Sequence, residues 1–310
     1  MTEPKKTKKK KAATVAIPKA GLFLGNQKAP AKFINKVLKS YKNSHGSIRP
    51  HLILSGASGS GKGHIIDTLM KKYGFTFINI NAAQLTREGI SGNSLSKCLE
   101  PLLRLRGKPV VVLFDEFDKL FLSTGDKATG EERSGVQTEI LHIISSGKMQ
   151  VIGDYGHYHE ASTRNCLFMF SGAFGGRKSL SPEKLLDMGM LPELLGRVNL
   201  HMHIPDVDVQ ELITAAITDP LVVHYLKLTN DEENETVIKA AHDSIGAQVA
   251  KVAALGNVIG YRLIHRIIHQ YFLLDGKYPV YSDDDDEPLH DLTVSDADVE
   301  ALNVQLDFGD

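Results

Sequence analysis

The sequence predicts an α/β protein in which helices cover a parallel sheet and a smaller helical domain follows. Up to about residue 204, short and nearly continuous apolar runs alternate with stretches of helical periodicity, as in strands that are buried on both faces. Beyond Pro205 the strand-like runs mostly vanish while the helical periodicity continues. We therefore expect a basic tail over residues 1–20, an α/β domain over residues 21–204 and a small helical domain over residues 205–310.

Composition favours a soluble protein that has one large domain or two modest ones. The 310 residues carry a formal net charge of −1, so bulk charge indicates neither nucleic acid nor a membrane surface as a partner. No apolar run approaches the ~18–20 residues of a membrane span, and the N-terminus has no apolar signal core. Cys98 and Cys166 each lie in an apolar stretch, which favours buried free thiols over a disulfide. We expect a cytoplasmic protein.

Two charged segments lie near the ends of the chain. Residues Lys5 to Lys11 hold a block of lysines that repel one another, and we expect a disordered, solubilising tail there. The alternative is an electrostatic arm for nucleic acid or for an acidic partner. Residues 282–288 are acidic and are expected to form a solvated surface loop, ahead of a C-terminal extension.

The expected elements follow from the hydrophobic pattern. An amphipathic helix is indicated by Phe33, Val37 and Tyr41 at helical spacing. Strands are expected at residues 51–55, 76–80, 110–114 and 166–170, and helices at residues 65–70, 136–144, 209–217, 235–255 and 261–274. The run from His157 to His159 is expected to be a loop, because no third residue nearby in the sequence would complete a metal site.

The first expected strand runs into a glycine-rich loop and then into a helix, which is the arrangement of a phosphate-binding P-loop. The backbone N–H groups of such a loop cradle phosphate oxygens, and Lys62 can reach the β- and γ-phosphates. Gly63 departs from the pattern, because the residue after the lysine is normally Ser or Thr, whose hydroxyl binds Mg²⁺. The candidate nucleotide-binding residues of this segment are Ala57, Ser58, Gly59, Ser60, Gly61, Lys62, Gly63 and His64.

An acidic pair follows the third expected strand. Asp115 and Glu116 come at its carboxyl end, and ligands bind at that edge of open α/β sheets. Asp115 can hold Mg²⁺ directly or through water, and Glu116 can orient and deprotonate an attacking water. The alternative is a pair of carboxylates that merely ends a strand, which the P-loop upstream disfavours.

Two classes of P-loop enzyme compete at this point. Nucleoside monophosphate kinases also carry a Lys-Gly pair in the P-loop, which would make the chain a phosphotransferase. Those kinases do not carry an acidic run like residues 115–119, so the sequence favours a nucleotidase.

Ordered motifs across residues 22–268 resemble those of the AAA+ unfoldases of the ClpX/HslU type. The matching segments are residues 22–27 near the first helix, the acidic strand end at 114–119, the helix start at 135–137, the sensor-1 strand at 167–174, the arginine-containing box at 190–197 and the sensor-2 helix at 259–265. The resemblance implies a P-loop AAA+ large domain followed by a small helical lid domain.

The resemblance also implies roles for individual residues. Phe23 and Leu24 would pack beside the adenine of ATP, and Arg262 would contact the γ-phosphate from the lid. Arg197 would reach the nucleotide of a neighbouring subunit, which requires a homo-oligomer, a hexameric ring as in the family. With Lys62 and Glu116, these two arginines complete the expected catalytic set, whose cofactors are ATP and Mg²⁺.

Two segments depart from the family. Gly63 lacks the hydroxyl that ligates Mg²⁺, so we expect ATP binding to survive and hydrolysis to be slow. Gly89, Ile90, Ser91 and Gly92 occupy the place of the pore loop that grips substrate, which in the family is Gly-aromatic-aliphatic-Gly. An aromatic ring gives a larger rigid contact than Ile90 does, so we expect a weaker grip; an ordinary turn is the alternative.

The sequence also lacks features found in members of the family that work with a peptidase. Few residues separate Phe174 from Met190, which leaves no room for the loop that docks a peptidase, and two cysteines cannot build a zinc-binding domain. We expect an ATP-dependent protein-remodelling ATPase without a peptidase partner and without membrane contact. The alternatives are a weakly hydrolysing or non-hydrolysing assembly scaffold and a nucleic-acid motor or loader.

Overall fold

The computed structural model describes residues 23–87, 93–121, 127–153, 156–177, 180–255 and 259–274, with the backbone alone over residues 127–133. The expectations for the basic tail, the Gly89 to Gly92 segment, the acidic loop and the C-terminal extension concern residues outside these ranges. They stay predictions.

Parallel strands form the centre of the fold. The strands are β1 (Leu52–Ser55), β2 (Thr76–Asn81), β3 (Val110–Asp115), β4 (Lys148–Ile152), β5 (Tyr158–Ser162), β6 (Cys166–Gly172) and β7 (Leu200–His203). Within the described residues a five-stranded sheet has the order β2-β3-β6-β1-β7, and each neighbouring pair is parallel. The predicted parallel sheet is confirmed.

The helices of the described residues cover this sheet and continue beyond it. They are α1 (Gly25–Asn43), α2 (Lys62–Tyr73), α3 (Leu95–Cys98), α4 (Leu102–Leu105), α5 (Lys127–Ser146), α6 (Pro182–Asp187), α7 (Pro192–Leu195), α8 (Val209–Ile217), α9 (Pro220–Leu228), α10 (Glu235–Ala254) and α11 (Arg262–Leu273). Apolar residues of α1 and α2 pack on one face of the sheet, and those of α3 to α7 pack on the other. The α/β class with both faces covered is thereby confirmed.

The central strands are apolar at successive positions because both of their faces are buried. In β3, Val111 and Leu113 pack toward α1 and α2, whereas Val112 and Phe114 pack toward the opposite layer. The ring of Phe114 stacks on that of Phe170 from the neighbouring strand, with centroids 5.3 Å apart. This packing fixes the register of β3 against β6 and so brings their carboxyl ends to one edge.

The hydrophobic pattern did not predict three of the strands. β4 and β5 form an antiparallel hairpin, closed by a hydrogen bond from Gly153 N–H to the carbonyl of His157 at 2.8 Å. The expectation of a loop at residues 157–159 was therefore wrong for Tyr158 and His159, which lie in β5. The edge strand β7 was also missed. These strands alternate apolar with polar residues or are half exposed, so they lack the apolar continuity of the central strands.

Helices α8 to α11, called the C-terminal helices below, have a core of their own. Leu212, Ile245, Ile264 and Ile267 are among its buried members. The predicted helices at 209–217, 235–255 and 261–274 are confirmed within one residue at each end, and α9 was not predicted. Across the described residues, the model contains no helix with the length and apolar character needed to span a bilayer.

Candidate functional site

The P-loop connects the buried strand β1 to helix α2. Gly59 and Gly61 both have positive φ angles, of 72° and 94°, which glycine adopts without steric cost. A Cβ at Gly59 would lie 1.9 Å from the carbonyl oxygen of Ile259, and one at Gly61 would lie 2.1 Å from Nε2 of Gln27. The loop thus passes between α1 and the start of α11, where only glycine fits at these two positions.

Helix α2 begins at Lys62 with its first turn open to ligands. The residue at its N-cap is Gly61, which has no side chain to cap that turn, and the positive end of the helix dipole faces the loop and favours an anion there. The ammonium group of Lys62 donates hydrogen bonds to the carbonyls of Gly56 at 2.6 Å and of Ala57 at 2.9 Å. Burial lowers the pKa of Lys62, and the carboxylates of Asp115 and Asp118 oppose that shift.

Gly63 has an open environment, unlike the two constrained glycines. Apart from its chain neighbours and its own helix, no described atom lies within 4 Å of a Cβ built at Gly63, and its backbone is helical. Packing against the described residues therefore does not exclude a larger side chain at this position. The absence of a hydroxyl here is a property of the sequence and is not imposed by the fold.

The acidic pair lies at the carboxyl end of β3, beside β6. Glu116 adopts a left-handed backbone conformation with φ of 55°, which is uncommon for a residue other than glycine. Its N–H donates to Oδ1 of Asp115 at 3.0 Å, and the hydroxyl of Ser171 donates to the same oxygen. The carboxylate of Asp115 is therefore held from two sides.

A third carboxylate joins the acidic strand end to the end of β6. Asp118 is 3% exposed and accepts hydrogen bonds from Ala173 N–H at 3.3 Å and from Phe174 N–H at 3.0 Å. A Cβ at Gly172 would lie 2.3 Å from Oδ1 of Asp118, so the glycine makes room for this contact. The sequence showed Asp118 within a motif but gave no signal for its partners, which lie more than 50 residues later.

The C-terminal helices contact the P-loop directly. The N–H of Tyr261 donates to the carbonyl of Gly59 at 2.9 Å, and Nη1 of Arg262 donates to the hydroxyl of Ser58 at 3.2 Å. The hydroxyl of Tyr261 donates to Oδ1 of Asn26 on α1 at 3.0 Å. Sequence reasoning identified Arg262, but it missed Tyr261 and Asn26.

A cavity of about 770 Å³ lies among these groups, which is within the usual range of small-molecule sites. One part is lined by charged and P-loop residues, and another by Leu24, Ala215, Pro220 and Ile264. The predicted site residues that line it are Leu24, Ser58, Gly59, Gly61, Lys62, Gly63, His64, Asp115, Glu116 and Arg262. The cavity thus combines charged and polar groups with apolar side chains.

Other predicted site residues are not among those that line the cavity. Phe23 packs edge-on against the ring of His64, with centroids 6.1 Å apart. Ala57 contributes a carbonyl to Lys62, and Ser60 is 2% exposed, its hydroxyl having no hydrogen-bond partner among the described residues. Arg197 is exposed between α7 and β7 and does not line the cavity.

The described part of the site does not form a metal site from protein side chains alone. Among the described residues, no group of three or more His, Cys, Asp or Glu side chains could hold a metal ion. One carboxylate near a phosphate site does suit Mg²⁺, which usually takes one or two carboxylates together with phosphate oxygens and waters. The arrangement fits a magnesium–nucleotide complex better than a metal bound by protein alone.

The match to a family model agrees with this geometry. Residues 52–170, which run from β1 to β6, match the model described as "ATPase family associated with various cellular activities (AAA)". The fold and site therefore define a P-loop protein whose residues 52–170 match an AAA domain, and the chain is similar to ClpX proteins at modest identity.

Curated proteins place the similarity more narrowly. The chain is 25% identical over 241 residues to "ATP-dependent Clp protease ATP-binding subunit ClpX" of Azotobacter vinelandii, covering 62% of this chain and 54% of that protein. It is 24% identical over 227 residues to ClpX of Bacteroides fragilis, covering 58% and 54%. It is 23% identical over 257 residues to ClpX of Porphyromonas gingivalis, covering 64% and 62%. The matches span a little over half of the length of these relatives.

Proposed function

We propose that the chain binds ATP with Mg²⁺ in this cavity and hydrolyses it slowly to drive the remodelling of protein substrates. One observation supports the proposal most directly. The uncapped start of α2 behind Lys62, the carboxylates of Asp115 and Glu116, and the guanidinium of Arg262 all face one cavity. Cations and helix N–H groups stabilise a phosphate chain, and the carboxylates serve the metal and the water.

Each of these groups has a distinct chemical task in the proposal. ATP supplies a γ-phosphoryl group that passes to water. Lys62 and Arg262 stabilise the negative charge on its oxygens, and Asp115 holds Mg²⁺. Glu116 orients the water and accepts its proton. Residues 205 onward act as the lid domain, whose Tyr261 and Arg262 contact the loop and so link nucleotide state to lid position.

Steady-state phosphate release and nucleotide binding test the proposal together. Glu116→Gln should reduce turnover by about 10²-fold or more while ATP still binds, because only the proton acceptor is lost. Lys62→Ala should weaken binding itself. Glu233→Gln, in an exposed turn before α10, is the matched control and should leave both unchanged. Turnover that persists in Glu116→Gln would contradict the assigned role.

We also propose that the chain works as a homo-oligomeric ring in which Arg197 acts on the nucleotide of the neighbouring subunit. Arg197 is exposed and does not line the cavity of its own chain, which supports this proposal. Arg197→Ala and Glu116→Gln should each lack turnover alone. When the two variants are mixed in one ring, the intact Glu116 of an Arg197→Ala subunit can face the intact Arg197 of a Glu116→Gln subunit. Turnover should then partly return. Mixtures that stay inactive, although sizing shows that they co-assemble, would contradict action between subunits.

The remodelling activity is proposed from the similarity to ClpX proteins. In that reading the segment from Gly89 to Gly92 contacts the substrate. Ile90→Tyr should then increase ATP-dependent unfolding of a tagged fluorescent protein. An aromatic side chain makes a larger rigid contact with a substrate polypeptide than an aliphatic side chain does. Unchanged unfolding in an active preparation would argue against contact with substrate.

A second candidate is an assembly scaffold that binds ATP without turning it over. Gly63 supports it, since the residue offers no hydroxyl to Mg²⁺. Sizing with and without ATP, with phosphate release followed in parallel, separates the two. Assembly that depends on ATP without release supports the scaffold, and release abolished by Glu116→Gln supports the motor.

A further inference from the structure

The carboxylate of Asp115 is oriented by a hydroxyl from the neighbouring strand. Ser171, near the end of β6, is 1% exposed and donates its hydrogen bond to Oδ1 of Asp115. The N–H of Glu116 donates to the same oxygen at 3.0 Å. Two donors on Oδ1 leave Oδ2 as the oxygen that a cation, or a water bound to it, can use.

This hydroxyl matters because the P-loop does not offer the usual one. Ser or Thr normally follows the P-loop lysine and ligates Mg²⁺. Gly63 stands there instead, and its surroundings have space for a side chain. The metal site therefore depends more heavily on Asp115 than in a protein that has both groups.

The P-loop's own serines serve elsewhere. The hydroxyl of Ser58 accepts a hydrogen bond from Arg262 at 3.2 Å. Ser60 is 2% exposed and does not line the cavity. Among the hydroxyls described, Ser171 is the one bonded to the carboxylate of Asp115.

We propose that Ser171 is a positioning residue for the Mg²⁺ site, and that it compensates for the hydroxyl missing at Gly63. The inference rests on the proposed binding of ATP with Mg²⁺. In a P-loop with Ser or Thr after the lysine, that hydroxyl helps to fix the geometry around the metal. Here Ser171 would do so from the edge of the sheet, through Asp115. Groups that orient a metal ligand typically change metal affinity by roughly 10–100-fold when they are removed.

The test measures nucleotide affinity as a function of Mg²⁺ and needs no turnover. A fluorescent ATP analogue is titrated into the whole chain at a series of Mg²⁺ concentrations and, separately, in EDTA. Ser171→Ala should raise by about tenfold the Mg²⁺ concentration at which the enhancement of analogue binding is half-maximal. The affinity for the analogue in EDTA should stay the same. Ser96→Ala, another buried serine, bonded to Ser94 at 3.0 Å, is the control and should change neither.

Restoring the P-loop hydroxyl provides the second arm. Gly63→Thr added to Ser171→Ala should return the Mg²⁺ requirement to that of the parent, and Gly63→Thr alone should lower it. Ser171→Cys keeps the size of the side chain with a weaker donor, and it replaces Ser171→Ala if that variant does not fold.

The outcomes separate the inference from the proposed function. A Mg²⁺ requirement that is unchanged in Ser171→Ala and in Ser171→Cys would overturn the inference while ATP binding stands. If Ser171→Ala raises the Mg²⁺ requirement and Gly63→Thr does not lower it again, the compensation between the two sites would be overturned. No analogue binding by the parent, with Mg²⁺ or in EDTA, would overturn the proposed function.

Discussion

The hydroxyl of Tyr261 donates a hydrogen bond to Oδ1 of Asn26 at 3.0 Å, joining the start of α11 to the first turn of α1. Asn26 makes further contacts at the same junction, donating from Nδ2 to the carbonyl of Pro205 at 2.9 Å and from its backbone N–H to Glu211 at 3.2 Å. The C-terminal helices are thus attached to α1 as well as to the P-loop.

Tyr261→Phe should loosen this junction. Loss of the hydrogen bond costs about 0.5–1.5 kcal/mol, because Oδ1 of Asn26 loses its donor. Amide hydrogen exchange in the first turn of α1 should accelerate by roughly 2–10-fold, the change that this free energy implies. Tyr225→Phe is the matched control, since its hydroxyl bonds to His269 within the C-terminal helices, at 2.8 Å. Equal acceleration at α1 in both variants would contradict a junction at Asn26.

The P-loop glycines should respond unequally to alanine. Gly59→Ala places a methyl group 1.9 Å from the Ile259 carbonyl at a positive φ, so we expect marked destabilisation and loss of nucleotide binding. Gly63→Ala meets open space on a helix and should be neutral or stabilising by up to about 1 kcal/mol. Chemical unfolding curves of the two variants against the parent measure this. A similar loss of stability in both would refute the difference in packing.

Asp118→Asn should destabilise the link between the acidic strand end and β6. The amide replaces one acceptor oxygen by a donor, so either Ala173 N–H or Phe174 N–H faces an NH₂ group. Leaving one buried donor unpaired costs about 1–3 kcal/mol. The free energy of unfolding measures the change, and Asp187→Asn on the exposed side of α6 is the control, with no expected effect.

Acid should destabilise the sheet through His51. Burial lowers the pKa of His51 to about 4, and the charge of Arg49 adds to the shift. The N–H of Phe168 donates to Nδ1 of His51 at 3.1 Å, a bond that protonation of Nδ1 would break. The unfolded chain binds this proton first, so the contribution is fully present above pH 6.5. It is lost as the pH falls toward 4, by up to about 3 kcal/mol.

Unfolding curves at several pH values check this prediction. His51→Asn keeps an acceptor without a titrating group, so the slope of stability against pH between 4 and 6.5 should fall. Part of the slope should remain, because burial and the neighbouring His203 also lower the pKa of His201. His45→Asn, at an exposed position, should keep the slope of the parent. A slope unchanged in His51→Asn would show that other groups cause the acid sensitivity.

The features predicted from sequence were those with local signals. The strand, loop and helix around Lys62 are contiguous in the sequence, and steric contacts require glycine at two positions of the loop. The P-loop could therefore be recognised from the sequence, and this also predicted its place between β1 and α2. The continuous apolar runs identified β1, β3 and β6 for a physical reason as well, since burial on both faces requires them. The edge strand β2 was also predicted, although only Ile80 of its side chains is buried. The resemblance to AAA+ proteins followed from the order of such motifs, and the family match over residues 52–170 agrees with it.

The features missed depend on partners distant in the chain. Ser171 and Asp115 are 56 residues apart, and no spacing rule indicates that they share a hydrogen bond. Asn26 and Tyr261 are separated by 235 residues, so that their contact appears only when the chain has folded. β7 escaped detection because it lies at the sheet edge with half-exposed side chains. Its pairing with β1 decides its structure more than its own pattern does.

The hydrogen bond from Tyr261 N–H to the Gly59 carbonyl joins two main chains. Most changes of side chain at residue 261 leave such a bond in place, whereas proline would abolish it. The contact between the C-terminal helices and the P-loop thus tolerates most substitutions at position 261. It is vulnerable at Gly59, where a side chain would separate the two strands of backbone.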